Sequence, residues 1–207
     1  MKQPRSIRGI LFDLGGVLVG KFGDQFIRYA SNKLGVEPTR LRRIIREEEI
    51  PLYKGRETDV QFWRRVYRKL KIPYDRKVAR TLWITPYKRH VSIKTEMLTL
   101  ARLLKKTYKI AILSNIVAEH TKINRKKGFF HYFTKIFLSH EVGMVKPEKK
   151  FFRYASRELG IPFQHLLFID DDPRWIKAAR RYGINSILFE SEGKLKRELR
   201  KLKILNS

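Results

Sequence analysis

The chain has 207 residues, 47 of them Lys or Arg and 20 Asp or Glu, for a formal net charge of +27; 43% are hydrophobic and none is Cys. The missing cysteines exclude disulfides, thiol nucleophiles and thiolate metal sites, and no apolar run approaches the roughly 18 residues of a membrane span. This length and apolar content suit one core, or a core with a small insert.

Met1–Ser6 leads directly into the first apolar run without a signal-peptide pattern, so a cytoplasmic location is expected. That run, Ile7–Phe12, ends at Asp13-Leu14-Gly15-Gly16-Val17-Leu18. A carboxylate leaving a buried strand is poorly placed for packing. It is well placed to meet a ligand, because open α/β sheets bind ligands beyond the carboxyl ends of their strands. The two glycines permit a sharp turn and a close approach.

From there to about residue 90 no strand-like run occurs. Asp24 is expected to cap a helix over Gln25–Leu34, closed by Gly35. Further amphipathic helices are read at Thr39–Glu49, from Thr58 or Asp59 to Leu70, and around Asp75–Trp83. Inserted directly after the Asp13 turn, they would sit over the strand ends like a lid.

Four more aliphatic runs follow, at Lys109–Leu113, Lys135–Leu138, Leu166–Ile169 and Ile184–Phe189. None alternates strictly, as expected of strands buried on both faces. Pro147 opens a helix carrying Phe151, Phe152, Ala155 and Leu159 and closed by Gly160; Pro173 opens another, closed by Gly183. Leu195, Leu199 and Leu202 give Lys194–Lys203 the pattern of a final amphipathic helix. Strand–helix alternation predicts an α/β fold: a doubly wound, parallel five-stranded Rossmann-like core of residues 1–19 plus 91–207, with residues 20–90 as an α-helical cap.

In a parallel sheet the residues just after each strand share one edge. Here these are Asp13, then Ser114-Asn115, then Lys146-Pro147 on a loop, then Asp170-Asp171-Asp172. Acidic groups gathered on one edge repel unless a hard cation neutralises them, and oxygen ligands favour Mg²⁺. A carboxylate nucleophile can then attack phosphorus and form an acyl phosphate that water cleaves. The cations and the hydroxyl spread the charge on the transferring group.

Four segments together resemble the motifs of the haloacid dehalogenase superfamily, in its phosphatase-like form with a small helical cap. They are Phe12-Asp13-Leu14-Gly15-Gly16-Val17-Leu18, Ile112-Leu113-Ser114-Asn115, Gly143-Met144-Val145-Lys146-Pro147 with Phe151, and Phe168-Ile169-Asp170-Asp171 with Ala178-Ala179 and Gly183-Ile184. Gly55-Arg56-Glu57-Thr58 ahead of Phe62-Trp63 resembles the usual cap pattern, and the likeness covers residues 7–190. It implies Asp13 as nucleophile and metal ligand, with Gly15 (through its carbonyl), Asp170 and Asp171 completing an Mg²⁺ site. It further implies that Ser114, with Asn115, binds the phosphoryl oxygens and that Lys146 holds both nucleophile and phosphoryl group. Gly16, with Lys54, Arg56 and Trp63 of the cap, would meet the substrate, and Tyr53 is a further specificity candidate. Asp172, ahead of Pro173, is read as a helix cap.

Two positions depart from that pattern. The family's phosphatases usually carry a second Asp, the general acid and base, where this chain has Gly15. Such assistance is worth about 10²–10⁴ in rate, so slow turnover is expected, least impaired for a low-pKa leaving group. The Asp-Leu-Gly-Gly form also resembles a subgroup that includes an α-glucose-1-phosphate phosphatase. Trp175 stands where relatives commonly have Asn and is read as packing. His90 and Arg89 are read as a return hinge, and His140 as a residue beyond the third strand.

The expected function is Mg²⁺-dependent hydrolysis of a small phosphate monoester, such as a sugar phosphate or nucleotide, through an aspartyl phosphate. The alternative is a catalytically weak protein of the same fold that binds phosphorylated ligands or nucleic acid through its basic surface. Basic residues outnumber acidic ones 3 to 1 in residues 1–19, 19 to 8 in 20–90 and 25 to 11 in 91–207. That even spread favours solvated helix faces over a nucleic-acid stripe. Carbon–halogen hydrolysis needs no metal and leaves Asp170-Asp171 unexplained. No membrane partner is expected, and the sequence does not fix an oligomeric state.

Overall fold

A computed structural model describes residues 6–205; Met1–Arg5, most of the segment read as running into the first strand, lies outside the described residues. The strands β1 (Gly9–Phe12), β2 (Lys109–Ser114), β3 (Lys135–Leu138), β4 (Leu166–Asp170) and β5 (Asn185–Leu188) form one sheet in the order β3-β2-β1-β4-β5. Every pairing is parallel, and the central β1 sets Phe12 opposite Ile112 on one side and Ile169 on the other. The carboxyl ends of β1, β2 and β4 therefore meet at one edge.

The first four of the helices between β1 and β2 form a single block: α1 (Gly23–Leu34), α2 (Pro38–Tyr53), α3 (Asp59–Leu70) and α4 (Arg76–His90). After them come α5 (Thr95–Leu104), α6 (Ala118–Lys126), the single turn α7 (Ser139–Val142), α8 (Lys149–Leu159), α9 (Pro173–Arg181) and α10 (Glu192–Lys201). No helix of the described residues is long and apolar enough to cross a membrane.

The strands lack alternation because both faces of the sheet are covered. On one face Ile10, Phe12, Ile112 and Ile169 pack against Ala101 and Leu104 of α5 and Leu195 and Leu199 of α10. On the other, Leu11, Leu113 and Phe168 meet Phe151, Phe152 and Ala155 of α8 and Ile176 and Ala179 of α9. The helical block buries its own cluster, with Leu41, Phe62, Trp63 and Val66 around a Phe26–Trp83 stack at 4.2 Å.

Local chemistry sets several helix starts. Glu37 accepts from the amides of Thr39 and Arg40, Asp75 from those of Lys77 and Val78, and Thr58 forms a capping box with Gln61. Two expectations are corrected. Asp24 caps nothing; it lies in the first turn of α1 and bonds Arg42 at 2.8 Å, while Phe22 holds the cap position, packed on Phe26 and Tyr87. Helices α2 and α4 run on to Tyr53 and His90 through Pro51 and Pro86. A proline near a helix end forfeits one backbone bond, and the buried Leu52 and Tyr87 draw the last turns inward.

His120 on α6 joins the block to the sheet-bearing part. It is buried, stacks on Tyr87 at 3.8 Å and places Nε2 3.2 Å from the Trp83 carbonyl. Burial pushes its imidazole down to about 3, against a smaller opposing effect of that hydrogen bond.

Two stability measurements follow from this packing. Phe152, fully buried with its ring 5.3 Å from that of Phe168, leaves a cavity as Phe152→Ala and should cost about 3–5 kcal/mol in chemical denaturation. For His120, the folded group takes a proton only near pH 3 against an ordinary value of 6.5, so the unfolded chain binds it first. Stability from the neutral ring is full above pH 6.5 and lost as pH falls towards 3, by at most about 1.4 kcal/mol per unit. His120→Phe should remove that slope relative to wild type; parallel stability curves over this range would refute the assignment.

Candidate active site

Where β1 ends, the Asp13 amide still donates to the Ile169 carbonyl at 2.8 Å, so the carboxylate is carried on the last rung of the sheet. The chain then folds back on itself, Leu18 and Val19 both donating to the Leu14 carbonyl. Gly16 has φ +82° and spends its amide on Val19 and its carbonyl on the Lys94 ammonium. A Cβ there would overlap the Asp171 carboxylate, so this glycine is needed for close approach. Gly15 differs: an added Cβ would meet nothing within 4 Å.

Lys146 is 2% exposed and donates to Asp13 Oδ1 at 2.8 Å and to Asp170 Oδ2 at 2.5 Å. Its backbone is clamped by Asn115, whose Oδ1 accepts from the Lys146 amide at 2.8 Å and whose Nδ2 donates to the Lys146 carbonyl at 3.0 Å. Asn115 thus positions the lysine. Burial raises the Asp13 and Asp170 carboxyls, Asp170 to about 7, and Lys146 opposes that shift in both. Burial alone would lower Lys146, but the two carboxylates hold its ammonium above the usual lysine range.

Asp170 also accepts from the Asp172 amide at 2.8 Å. Asp172 accepts from the Arg174 amide at 2.9 Å, as a cap of α9. Asp171 faces Gly16 and pairs with the exposed Lys21 at 2.9 Å. Carboxylate oxygens of Asp13, Asp170 and Asp171 lie within 4.8 Å of one another. One buried ammonium does not balance three carboxylates, and hard oxygen donors so arranged suit a divalent cation such as Mg²⁺.

Two cavities flank these groups. One, of about 290 Å³, reaches from Gly15, Ser114 and Asn115 to the aromatic wall of Phe22, Phe26, Trp83 and Tyr87. The other, of about 480 Å³, holds Asp13, Lys146, Arg174 and Trp175. Glu49 and Tyr53 of α2, with Asn115, line both.

The structure brings together Asp13, Gly15, Ser114, Asn115, Lys146, Asp170 and Asp171. The expected substrate contacts of the block scatter. Lys54 pairs with Glu148 at 2.5 Å, tying α2 to the start of α8. Arg56 is exposed and lines neither cavity, and Trp63 is 1% exposed inside the block's own cluster, where its ring completes packing. Gly55 lies so close to the His140 backbone that a side chain would not fit. Tyr53 does reach the site. His90 is exposed at the end of α4, and His140 Nε2 lies 2.8 Å from Thr121 Oγ1. Sequence reasoning missed Lys94 and Glu49; the stripe Arg42, Arg46, Glu49, Tyr53, at spacings of four, three and four, was the available signal for the second.

A family model described as haloacid dehalogenase-like hydrolase matches residues 7–183. The haloacid dehalogenase family enzyme bt-2542 from Bacteroides thetaiotaomicron, solved as a magnesium complex, is 26% identical with a TM-score of 0.75 over 95% of this chain and 100% of that one. Its complex with magnesium and inorganic phosphate gives 25% identity and a TM-score of 0.70 over 92% and 99%. A glyceraldehyde 3-phosphate phosphatase from Methanopyrus kandleri is 28% identical over 43% of this chain and 39% of its own. The drimenol cyclase drtB from Aspergillus calidoustus is 39% identical over 67 residues, 32% of this chain and 13% of that protein. The parallel sheet, the carboxylate–lysine edge and the match over residues 7–183 agree: the chain belongs to the haloacid dehalogenase-like hydrolase family.

Proposed function

We propose that this hydrolase cleaves small phosphate monoesters with Mg²⁺, through an aspartyl phosphate on Asp13. The observation that carries the reading is the Lys146 ammonium buried between Asp13 and Asp170, with Ser114 and Asp171 on the same edge. Residues 20–90 are taken as the cap that closes the site, and the phosphate and magnesium found with bt-2542 support both the substrate class and the ion.

Asp13, Asp170, Asp171 and the Gly15 carbonyl would hold Mg²⁺. When bound, the ion supplies charge neutralisation for the carboxylates and the phosphoryl oxygens. Asp13, whose ionised form the Lys146 ammonium favours against the opposing effect of burial, attacks phosphorus with its free carboxylate oxygen. Lys146 spans nucleophile and phosphoryl group, the Ser114 hydroxyl donates to a phosphoryl oxygen, and Asn115 keeps the lysine in place. Closure of the cap excludes bulk water while the ester bond breaks. A water then attacks the phosphorus of the aspartyl phosphate, releasing inorganic phosphate and regenerating Asp13.

The test is hydrolysis of acetyl phosphate, p-nitrophenyl phosphate and a panel of sugar phosphates with and without Mg²⁺. Turnover should require the ion, and Asp13→Asn should lower kcat by at least about a thousandfold. Activity surviving in that variant would refute the reading.

A further inference from the structure

Leaving-group departure from an alkyl phosphate needs a proton, and residue 15 has no side chain to give one. We propose that Glu49 of α2 is the acid–base group of this site, placed by the cap to serve the leaving-group oxygen. The inference rests on the phosphatase reading above and adds to it a catalytic residue from outside the core.

The placement comes from helix geometry. Arg42, Arg46, Glu49 and Tyr53 follow one another along a single face of α2, and all four line the cavity that contains Gly15 and Ser114. Leu41, Ile44, Ile45 and Leu52 form the buried face that fixes the helix in the block. Glu49 also lines the cavity that holds Asp13 and Lys146, so it shares that space with the nucleophile. The position that a side chain on residue 15 would fill is open space.

Elimination leaves the same residue. Among the described residues, Glu49 is the one carboxylate lining the first cavity. Of those lining the second, Asp13 is the nucleophile, and Glu148 is paired with Lys54 and Lys150. Beside them, Asp170 is held by Lys146, Asp171 by Lys21 and Asp172 by Arg174. Glu49 has no ion-pair partner within 4 Å among the described residues. The other titratable groups facing it hold their state near neutrality: His120 stays unprotonated, and burial pushes the phenols of Tyr53 and Tyr87 up, Tyr87 to about 12. Burial likewise pushes Glu49 up to about 7, against the pull of Arg46 on its own helix and Arg174 at the start of α9. Arg42, the remaining cation on this face, is engaged by Asp24. A carboxyl titrating near 7 is suited to give and take a proton at neutral pH.

As the Asp13 oxygen bonds to phosphorus, the ester P–O bond breaks with its electron pair going to the leaving oxygen. That oxygen takes the Glu49 proton and departs as an alcohol. The Glu49 carboxylate then accepts a proton from water as the water oxygen bonds to phosphorus and the P–O bond to Asp13 breaks. Inorganic phosphate leaves with Asp13 ionised and Glu49 protonated again.

The experiment compares wild type with Glu49→Gln on acetyl phosphate, p-nitrophenyl phosphate, phenyl phosphate and β-glycerophosphate, all with Mg²⁺. Loss in kcat/KM should grow with leaving-group pKa, from less than about tenfold for acetyl phosphate to about 10²–10⁴ for β-glycerophosphate. Gly15→Asp, for which the backbone has room, should restore at least about tenfold of the β-glycerophosphate activity in the Glu49→Gln background. Carbon-13 carboxyl NMR of the wild-type protein should find a Glu49 midpoint near 7, a reading independent of turnover. Equal losses on all four substrates, no loss, or a midpoint in the ordinary carboxylate range would overturn the proposal while leaving the phosphatase reading intact. Failure of wild type to hydrolyse any of the four would remove both.

Discussion

The buried ammonium of Lys146 is the constraint around which this molecule is arranged. It sits between two carboxylates that arrive from different strands, Asp13 after β1 and Asp170 at the end of β4. Taking such charges out of water costs several kcal/mol per ion, repaid only when each finds its partner in good geometry. The neighbouring structure supplies that geometry. The central position of β1 brings Asp13 next to Asp170, the Asn115 side chain grips the lysine backbone on both sides, and the Asp172 amide satisfies a further oxygen of Asp170. Removing one member would strand the others, so the cluster couples the integrity of the fold to that of the site.

The same edge shows how a stable core carries a carboxylate that faces a cavity. Lys146 steadies Asp13 without exhausting it, because the lysine is shared with Asp170. Gly16 lets Asp171 approach within contact of the turn, and the three carboxylates together exceed the buried positive charge. That imbalance is what makes the cluster a fit for a divalent cation. Charge excess within the site, rather than the +27 of the whole chain, is the electrostatic feature that bears on the chemistry.

Much of this was legible in the sequence, for a physical reason. A parallel sheet sends every strand's carboxyl end to one edge, so short aliphatic runs followed by Asp, Ser or Asp-Asp point to a common place. The strands came within two residues of their observed ends, and Asp13, Ser114, Lys146 and Asp171 converge. The helical block was harder. Periodicity tells that α2 has an apolar face, but not that Arg42, Arg46 and Glu49 on its other side line a cavity beside Gly15 and Ser114. Trp63 is a ligand candidate from its place near a cap loop, yet burial of its ring completes the block's own core. Asp24 looked like a cap until Phe22 took that position through aromatic packing, which no local pattern encodes.

The proposed chemistry depends on an Asp13 carboxylate oxygen receiving phosphorus. Acid-quenching the enzyme during turnover of acetyl phosphate with Mg²⁺, followed by peptide mass spectrometry, tests it directly. One phosphoryl group is expected on the peptide carrying Asp13, labile to base as an acyl phosphate is. A phosphoryl group on Ser114, or turnover with no phosphorylated peptide, would contradict it.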